Sequence, residues 1–280
     1  MSNIISVRDL YKSYGRKEVL KGVSFDLEDG QIIGLLGPNG CGKTSLLKIL
    51  TGLIHDYTGE ISIDGLPVGV DSKKLVAYLP ERSYIANWMS AKDAIETIAS
   101  LFTDFNREKA YDFLKGFDLT PAMKVKSMSK GMQEKLLLTL TMCREARIYI
   151  MDEPMGGVDP AARRAIKETI LSNRPKGSAM IISTHQIHDL EDVFDHALMI
   201  RDGHVIADEN VDRIRARGLT LEEYYCEKHG IDNNSQFTIH NAQLSQPETA
   251  ENQILQQLED LRVNDFEAYT RIMQNQNFKN

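Results

Sequence analysis

The spacing of apolar and polar residues predicts a chain in which strands and helices alternate. Short apolar runs bounded by turn residues are typical of buried strands. Such runs are EVLKGVSFDL, QIIGLLG, EISID, KLVAYLP, RIYIMDEP and AMIIST, together with the hairpin HALMIRDGHVIAD. Asp-Gly pairs at residues 29–30, 64–65 and 202–203 favour the tight turns of hairpins. These patterns predict an α/β protein.

In the segments between these strands, apolar residues recur at helical spacing. The predicted helices are Lys43–Thr51, the segment AKDAIETIASLF with Ser90 as its cap, Arg107–Phe117, Lys130–Cys143, Ala161–Leu171 and Ile187–Phe194. Several of these helices follow one another directly. We therefore expect a helical insertion over about residues 82–146, within the α/β core.

The character of the sequence changes near residue 230. Residues 1–230 are predicted to form the folded domain, whereas residues 231–280 begin as a polar linker rich in Asn and Gln. Helical spacing returns beyond residue 250 and predicts a C-terminal helical extension. Its apolar side has three possible contacts: the domain itself, a second copy of the chain, or a membrane partner.

Composition and charge exclude several classes of function. The chain has 280 residues, with 33 Lys and Arg against 40 Asp and Glu, so at a net charge of −7 no nucleic-acid partner is expected. No signal peptide is visible, and the apolar runs are shorter than the roughly 18 to 20 residues that span a bilayer. We therefore expect a cytoplasmic protein whose three scattered cysteines are reduced thiols.

The stretch GPNGCGKT predicts a phosphate-binding loop, because a strand precedes it and a helix follows it. Glycines let successive backbone N–H groups face one concavity, and the helix N-terminus adds a positive dipole end. Lys43 is expected to reach the β- and γ-phosphates of a nucleotide, and Thr44 to bind Mg²⁺. The predicted nucleotide-binding residues of this loop are Gly37, Pro38, Asn39, Gly40, Cys41, Gly42, Lys43, Thr44 and Ser45.

Cys41 has two interpretations. A thiol near a helix N-terminus can have a lowered pKa and be open to oxidation. The simpler interpretation is a small residue that fits the loop.

Two acidic residues stand at the end of the apolar strand in RIYIMDEP. Mg²⁺ takes oxygen ligands, and hydrolysis needs a group that activates water. Asp152 is expected to help hold the metal through water, and Glu153 to orient or deprotonate the attacking water. Taken alone, the pair is also compatible with a strand that ends in a charged turn.

With these two motifs in this order, the chain resembles the nucleotide-binding subunits of ABC transporters over roughly residues 3–228. The segment MSKGMQEK is similar to the family's signature loop, which is usually LSGGQ. Ser129 and Gly131 match that loop, while Met128, Lys130 and Met132 depart from it. In the family this loop contacts the ATP of the opposite protomer.

Four further residues occupy positions that the resemblance makes functional. Tyr14 stands where the family stacks an aromatic ring on adenine, and a surface tyrosine is the alternative. Asp159 in GGVDP resembles the D-loop aspartate. His185 in STH stands where the family has its switch histidine, and a structural histidine is the alternative. Glu81 replaces the usual Gln that ligates Mg²⁺; it is either a metal ligand or a solvated acid.

The resemblance implies a P-loop NTPase core. This is a RecA-like mixed sheet with an antiparallel β subdomain and a helical ABC-specific subdomain. It also implies an ATP-hydrolysing subunit that dimerises around two ATP, with Mg²⁺, as a homodimer or heterodimer. LPE and SKGM look like the ABC-2 type exporter branch, so the expected partner is an integral membrane permease.

The resemblance further implies a location at the inner face of the cell membrane. The alternatives are a soluble ABC-type ATPase acting on ribosomes or DNA, and a non-catalytic regulatory module. Intact Lys43, Asp152, Glu153 and His185 argue against the latter.

Overall fold

The computed structural model describes residues 3–231, and in this part of the chain ten strands and eight α-helices form. The strands are β1 (Asn3–Tyr14), β2 (Lys17–Glu28), β3 (Ile32–Leu36), β4 (Thr58–Ile63), β5 (Leu66–Pro67), β6 (Val76–Leu79), β7 (Ile148–Asp152), β8 (Ala179–Thr184), β9 (His196–Arg201) and β10 (His204–Asn210). The helices are α1 (Lys43–Leu50), α2 (Val70–Leu75), α3 (Ala91–Leu101), α4 (Arg107–Gly116), α5 (Lys130–Met142), α6 (Pro160–Asn173), α7 (Val211–Ala216) and α8 (Leu221–His229).

The strands form two sheets. The larger sheet has the order β10-β9-β3-β8-β7-β6, and all neighbouring strands in it are parallel except β10, which pairs antiparallel with β9. The smaller sheet is antiparallel, with the order β2-β1-β4-β5. A mixed sheet beside an antiparallel one confirms the predicted fold class. The parallel strands bring the carboxyl ends of β3, β7 and β8 to one edge, where α/β proteins bind ligands.

The larger sheet is buried on both faces. Successive residues of β7 face opposite sides of the sheet, and all five are buried. Ile148 and Ile150 pack with α1 and the antiparallel sheet, whereas Tyr149 and Met151 pack with the helices on the other side. Burial on both faces explains why this strand is an uninterrupted apolar run.

The helices α3, α4 and α5 are inserted between β6 and β7. As predicted, the Ser90 side chain caps α3 by accepting a hydrogen bond from Asp93 N. The nearly buried Arg144 ties the end of the insertion to the sheet. Its guanidinium donates to Val76 O at 2.7 Å and to the Asp104 carboxylate at 2.9 Å. These bonds fix β6, which leads into the loop that carries Glu81.

Some predicted elements were wrong. Residues 187–194 form a single 3₁₀ turn, Ile187–Asp189, instead of a helix. Their apolar side chains are buried, and the Phe194 ring packs against Gly34, so the spacing of these residues reflects burial. The start of KLVAYLP belongs to α2, and only Val76–Leu79 is a strand.

The Asp-Gly pairs differ in what they connect. Residues 64–65 and 202–203 lie in antiparallel hairpins, as predicted. Residues 29–30 instead join β2 to β3, which lie in different sheets.

Sequence analysis did not identify α7 and α8. The predicted linker and C-terminal helical extension lie outside the described residues, apart from Ile231. Within residues 3–231, every helix is too short or too polar to cross a bilayer.

Candidate active site

The glycine loop joins the buried strand β3 to α1, as predicted. At Gly37, an added Cβ would lie 2.3 Å from Ile200 O and 2.7 Å from Cys41 Sγ. At Gly42, φ is 114°, and an added Cβ would lie 2.7 Å from a Leu20 methyl group. Side chains at these two positions would push the loop away from the sheet. The glycines are therefore needed for close packing as well as for exposed backbone N–H groups.

The start of α1 offers donors to an anion. Gly42 is its N-cap residue, so no side chain caps the helix. The first backbone N–H groups of a helix have no partner within it, and the dipole makes this end positive. Lys43 is nearly buried, and its Nζ donates to Gly37 O at 2.8 Å. The ammonium group is thus held at the loop by the loop's own carbonyl.

Asp152 is the last residue of β7 and Glu153 follows it directly. Asp152 is fully buried, and its Oδ1 accepts a hydrogen bond of 2.6 Å from Ser183 Oγ. Its Oδ2 is also buried and has no partner among the described residues. Ser183 Oγ also accepts a hydrogen bond of 3.0 Å from Glu153 N. One hydroxyl on the neighbouring strand therefore positions both acidic residues.

Glu153 has a backbone conformation that few glutamates adopt. Its φ is 50°, in the left-handed region that costs of order 1–3 kcal/mol for such a residue. The hydrogen bonds from Glu153 N to Ser183 hold this conformation. It points the carboxylate at two other predicted residues. Glu153 Oε2 lies 2.9 Å from His185 Nδ1, and Oε1 lies 3.7 Å from Lys43 Nζ.

A cavity of about 960 Å³ opens beside these groups. The predicted site residues that line it are Asn39, Gly40, Gly42, Lys43, Thr44, Ser45, Glu81, Glu153 and His185. Lys130 of the signature segment and Gly156 and Gly157 of the D-loop segment also line it. The lining residues to which sequence analysis gave no role are Val19, Arg82, Ser83, Gln133 and Glu134.

The other predicted site residues lie outside the cavity lining. They are Tyr14, Gly37, Pro38, Cys41, Ser129, Gly131, Asp152 and Asp159. The Tyr14 ring is half exposed, its hydroxyl shares a hydrogen bond of 3.3 Å with Ser45 Oγ, and Lys12 Nζ lies 4.7 Å from the ring centroid. These contacts place Tyr14 next to the start of α1.

The signature and D-loop segments contact each other. Ser129 is exposed and caps α5 by accepting a hydrogen bond from Met132 N. Asp159 caps α6 through Ala161 N and Ala162 N, both at 3.0 Å. A Cβ at Gly131 would lie 3.8 Å from Asp159 Oδ2, which is ordinary contact. Both loops therefore present the N-terminus of a helix close to the cavity.

The structure favours the simpler interpretation of Cys41, that of a small residue that fits the loop. The thiol is buried against the loop, and burial raises its pKa. A raised pKa lowers the reactive thiolate fraction, so the structure gives no support to a redox role.

Glu134 is a site residue that sequence analysis missed. It lies one helical turn after Lys130 on α5, so both side chains face the cavity. Burial raises the pKa of Glu134 to about 7; the nearby Lys130 opposes this shift, and Glu81 adds to it. The i, i+4 spacing of Glu134 from Lys130 in the signature segment could have indicated from the sequence that Glu134 lies at the site. The burial that raises its pKa could not be read from the sequence.

The raised pKa of Glu134 predicts how stability depends on pH. The folded protein binds this proton more tightly than the unfolded chain does, so stability falls as the pH rises from about 4.5 to about 7. Glu134→Gln removes this loss. We expect a melting temperature about 5 °C higher than wild type at pH 8, and no gain at pH 4.5.

Differential scanning calorimetry of the nucleotide-free protein measures this effect. The exposed Glu168 on α6 provides the matched control, Glu168→Gln. A gain of equal size at both pH values would show that the effect comes from packing and not from titration.

Comparison with known proteins agrees with this geometry. The ABC transporter family model matches residues 20–156. YdbJ of Bacillus subtilis, an uncharacterized ABC transporter ATP-binding protein, is 30% identical over 73% of this chain and 68% of its own length. The chain belongs to the ABC transporter family. It is an ATP-binding subunit and an ATPase, and this subunit class implies a membrane permease as partner.

Two other proteins show how far the likeness extends. SkfE of Bacillus subtilis, a SkfA peptide export ATP-binding protein, is 29% identical over 73% of this chain and 88% of its own length. A solved ATP-binding subunit of an ABC transporter superposes with a TM-score of 0.73, at 28% identity over 81% of this chain and 99% of the other. The match with this whole subunit supports the P-loop NTPase fold assigned to residues 3–231.

Proposed function

We propose that this ATPase subunit works as a closed dimer that drives export through its permease. Each ATP would lie between residues 37–45 of one protomer and residues 128–132 of the other. The observation that carries the proposal is the convergence of Lys43, Glu153 and His185 on one cavity. A cation, a carboxylate and an imidazole at these distances are suited to binding phosphate and activating water.

Glu153 acts as the base in this proposal, and its neighbours position it. Its carboxylate orients or deprotonates the attacking water, while His185 holds one oxygen at 2.9 Å. Lys43 lies 3.7 Å from the other oxygen and is close enough to move to phosphate when nucleotide enters. The backbone N–H groups at the start of α1 bind the phosphate oxygens.

Mg²⁺ fits the acceptor groups at the end of β7. The buried Asp152 Oδ2 is an acceptor that receives no hydrogen bond from residues 3–231, which suits a hydrated cation. The described residues contain no cluster of three or more His, Cys, Asp or Glu that could hold a metal ion. Mg²⁺ is usually bound through one or two carboxylates together with substrate phosphates. Thr44 and Asp152 would hold the ion, with Glu81 as a further ligand. When bound, the ion neutralises charge on the phosphates.

The remaining predicted residues act at the edges of the site. The Tyr14 ring would stack on adenine, since it lies beside α1 with half of its surface exposed. Ser129 and Gly131 present an exposed hydroxyl and an unhindered backbone to the ATP of the partner protomer. Asp159 sets the N-terminus of α6 at the same surface. A two-fold axis then makes two equal sites from one surface.

The permease would contact the helical insertion. Tyr84 and Trp88 follow Glu81 in the chain, with 53% and 70% of their surface exposed. Exposed aromatic residues of this size are typical of protein interfaces. They link the metal side of the site to the insertion, and the permease would hold the subunit at the inner face of the membrane.

The Glu81 loop and the similarity to SkfE support export as the direction of transport.

Mixing two inactive variants tests the composite site. Lys43→Met damages the glycine loop, and Gly131→Asp places a negative charge where the signature loop would meet phosphate. In a mixed dimer, the altered glycine loop of one protomer meets the altered signature loop of the other, so both changes fall in one site. The second site contains neither change. We expect an equal mixture to recover about a quarter of the wild-type ATPase rate, because half of random pairs are mixed.

The exposed Gly116 on α4 offers a control, since an added Cβ there meets nothing within 4 Å. Gly116→Asp should be active alone. A mixture of Lys43→Met and Gly131→Asp as inactive as its components would contradict a site shared between protomers.

A further inference from the structure

Tyr78 lies on β6, and Asp152 lies on the neighbouring strand β7. Both residues are on the same face of the sheet. Tyr78 stands opposite Ile150 in the parallel pairing of β6 with β7, and Asp152 is two residues beyond Ile150. Residues two apart in a strand point to the same side. Tyr78 and Ile150 accordingly pack in the same cluster, on the side of α1 and the glycine loop. The register therefore directs the Tyr78 phenol toward the metal side of the candidate site.

Two buried polar atoms on this face have no hydrogen-bond partner within residues 3–231. They are the Tyr78 hydroxyl oxygen and Asp152 Oδ2. A phenol offers one donor and a carboxylate offers only acceptors, so the two groups are chemically complementary. Buried polar groups in native proteins nearly always have a partner. Because the two do not bond to each other directly, a molecule that accepts from one and donates to the other would satisfy both.

The charges around Tyr78 favour its role as a donor. Burial raises the pKa of the phenol, and the negative charges of Asp152 and Glu81 raise it further. At neutral pH the hydroxyl therefore keeps its proton. Asp152 and Glu81 are the two acidic residues assigned above to Mg²⁺. The phenol is thus a neutral donor close to both proposed metal-binding carboxylates.

We propose that Tyr78 is a positioning residue for Mg²⁺, whose hydroxyl donates to a water molecule that Asp152 Oδ2 also binds. This inference rests on the proposed binding of Mg²⁺ with ATP. Mg²⁺ dehydrates reluctantly and keeps several of its waters in protein sites. Groups that orient those waters and the first ligands change metal affinity by about 10- to 100-fold when removed. Tyr78 would fix the hydrated ion beside Asp152 without touching the nucleotide.

The variant Tyr78→Phe tests this inference. It removes only the oxygen. Because that oxygen has no hydrogen-bond partner among the described residues, its loss leaves none of their polar groups unsatisfied. We expect the metal-free variant to melt no lower than wild type. Calorimetric titration of the full chain with ATP then gives one dissociation constant in EDTA and one in Mg²⁺. We expect an unchanged value in EDTA and about a 10-fold weaker value in Mg²⁺.

Tyr149→Phe is the matched control. Tyr149 is buried on the opposite face of the same sheet, where its hydroxyl donates to Arg144 O at 2.6 Å. This variant should melt lower, because it breaks a buried hydrogen bond, yet keep both dissociation constants.

The outcomes distinguish a failure of the proposed Mg²⁺ site from a failure of the proposed role of Tyr78. A wild-type protein that gains no ATP affinity from Mg²⁺ would contradict the proposed metal site itself. If wild type gains affinity and Tyr78→Phe gains just as much, Tyr78 does not position the metal. Equal weakening of Tyr78→Phe in EDTA and in Mg²⁺ would also overturn the inference, because it would show a loss of packing alone.

Discussion

Glu153→Gln is expected to lower the rate of ATP hydrolysis by about 10²- to 10⁴-fold while leaving ATP bound, because it removes the proposed general base. The amide has the shape of the carboxylate but cannot take a proton. Its oxygen can still face Lys43, and its backbone keeps the bonds to Ser183. With hydrolysis blocked, the ATP-bound dimer should accumulate and elute earlier in gel filtration.

The exposed Glu145, just before β7, supplies a control for this experiment. Glu145→Gln removes one carboxylate from the surface and should leave the rate within about two-fold of wild type, since surface substitutions have small effects. Wild-type turnover by Glu153→Gln would reject Glu153 as the base. A loss of ATP binding instead of turnover would mean that Glu153 serves the loop rather than the reaction.

Lys43→Met should weaken ATP binding by about 10- to 100-fold, since a hydrogen bond to a charged group contributes about 1.5–3 kcal/mol. Methionine has a chain of similar length without the ammonium group. The variant also removes the donor that holds Gly37 O at 2.8 Å. Both losses fall on the glycine loop. Calorimetric titration with Mg²⁺ and ATP measures the change in dissociation constant.

Lys48 lies later on the same helix and outside the cavity lining, so Lys48→Met is the control. Its dissociation constant should match wild type. If Lys43→Met binds ATP normally but melts several degrees lower, Lys43 stabilises the conformation of the loop and is not a phosphate ligand.

The candidate site was predictable wherever the chemistry lies in contiguous residues. The glycine loop, α1 and the Asp152–Glu153 pair are local patterns, because a strand, a turn and a helix start follow from neighbouring residues. Where long-range packing decided the outcome, prediction failed. The apolar residues of 187–194 have helical spacing, but the core holds them in a single turn and an irregular segment.

Distances between the site residues follow from the order of the strands. Glu153 and His185 are 32 residues apart in sequence, and they meet because β7 and β8 are neighbouring parallel strands. Glu134 belongs to the helical insertion, yet it faces the same cavity as Glu81. Its pKa is raised by burial within the fold and by the charge of Glu81 from another part of the chain, so no local pattern could give it.

By itself, the sequence determined where the glycine loop and its lysine lie, because the backbone N–H groups of such a loop and the lysine that follows it are set by neighbouring residues. Only the tertiary structure decided which charges share a low-dielectric space, and which buried donors lack partners. The pairing of β6 with β7 brings Tyr78 to the face of Asp152, and the packing of α5 buries Glu134. Such effects arise from proximity across the fold, because desolvation and charge interactions depend on distance in space and not on position in the chain.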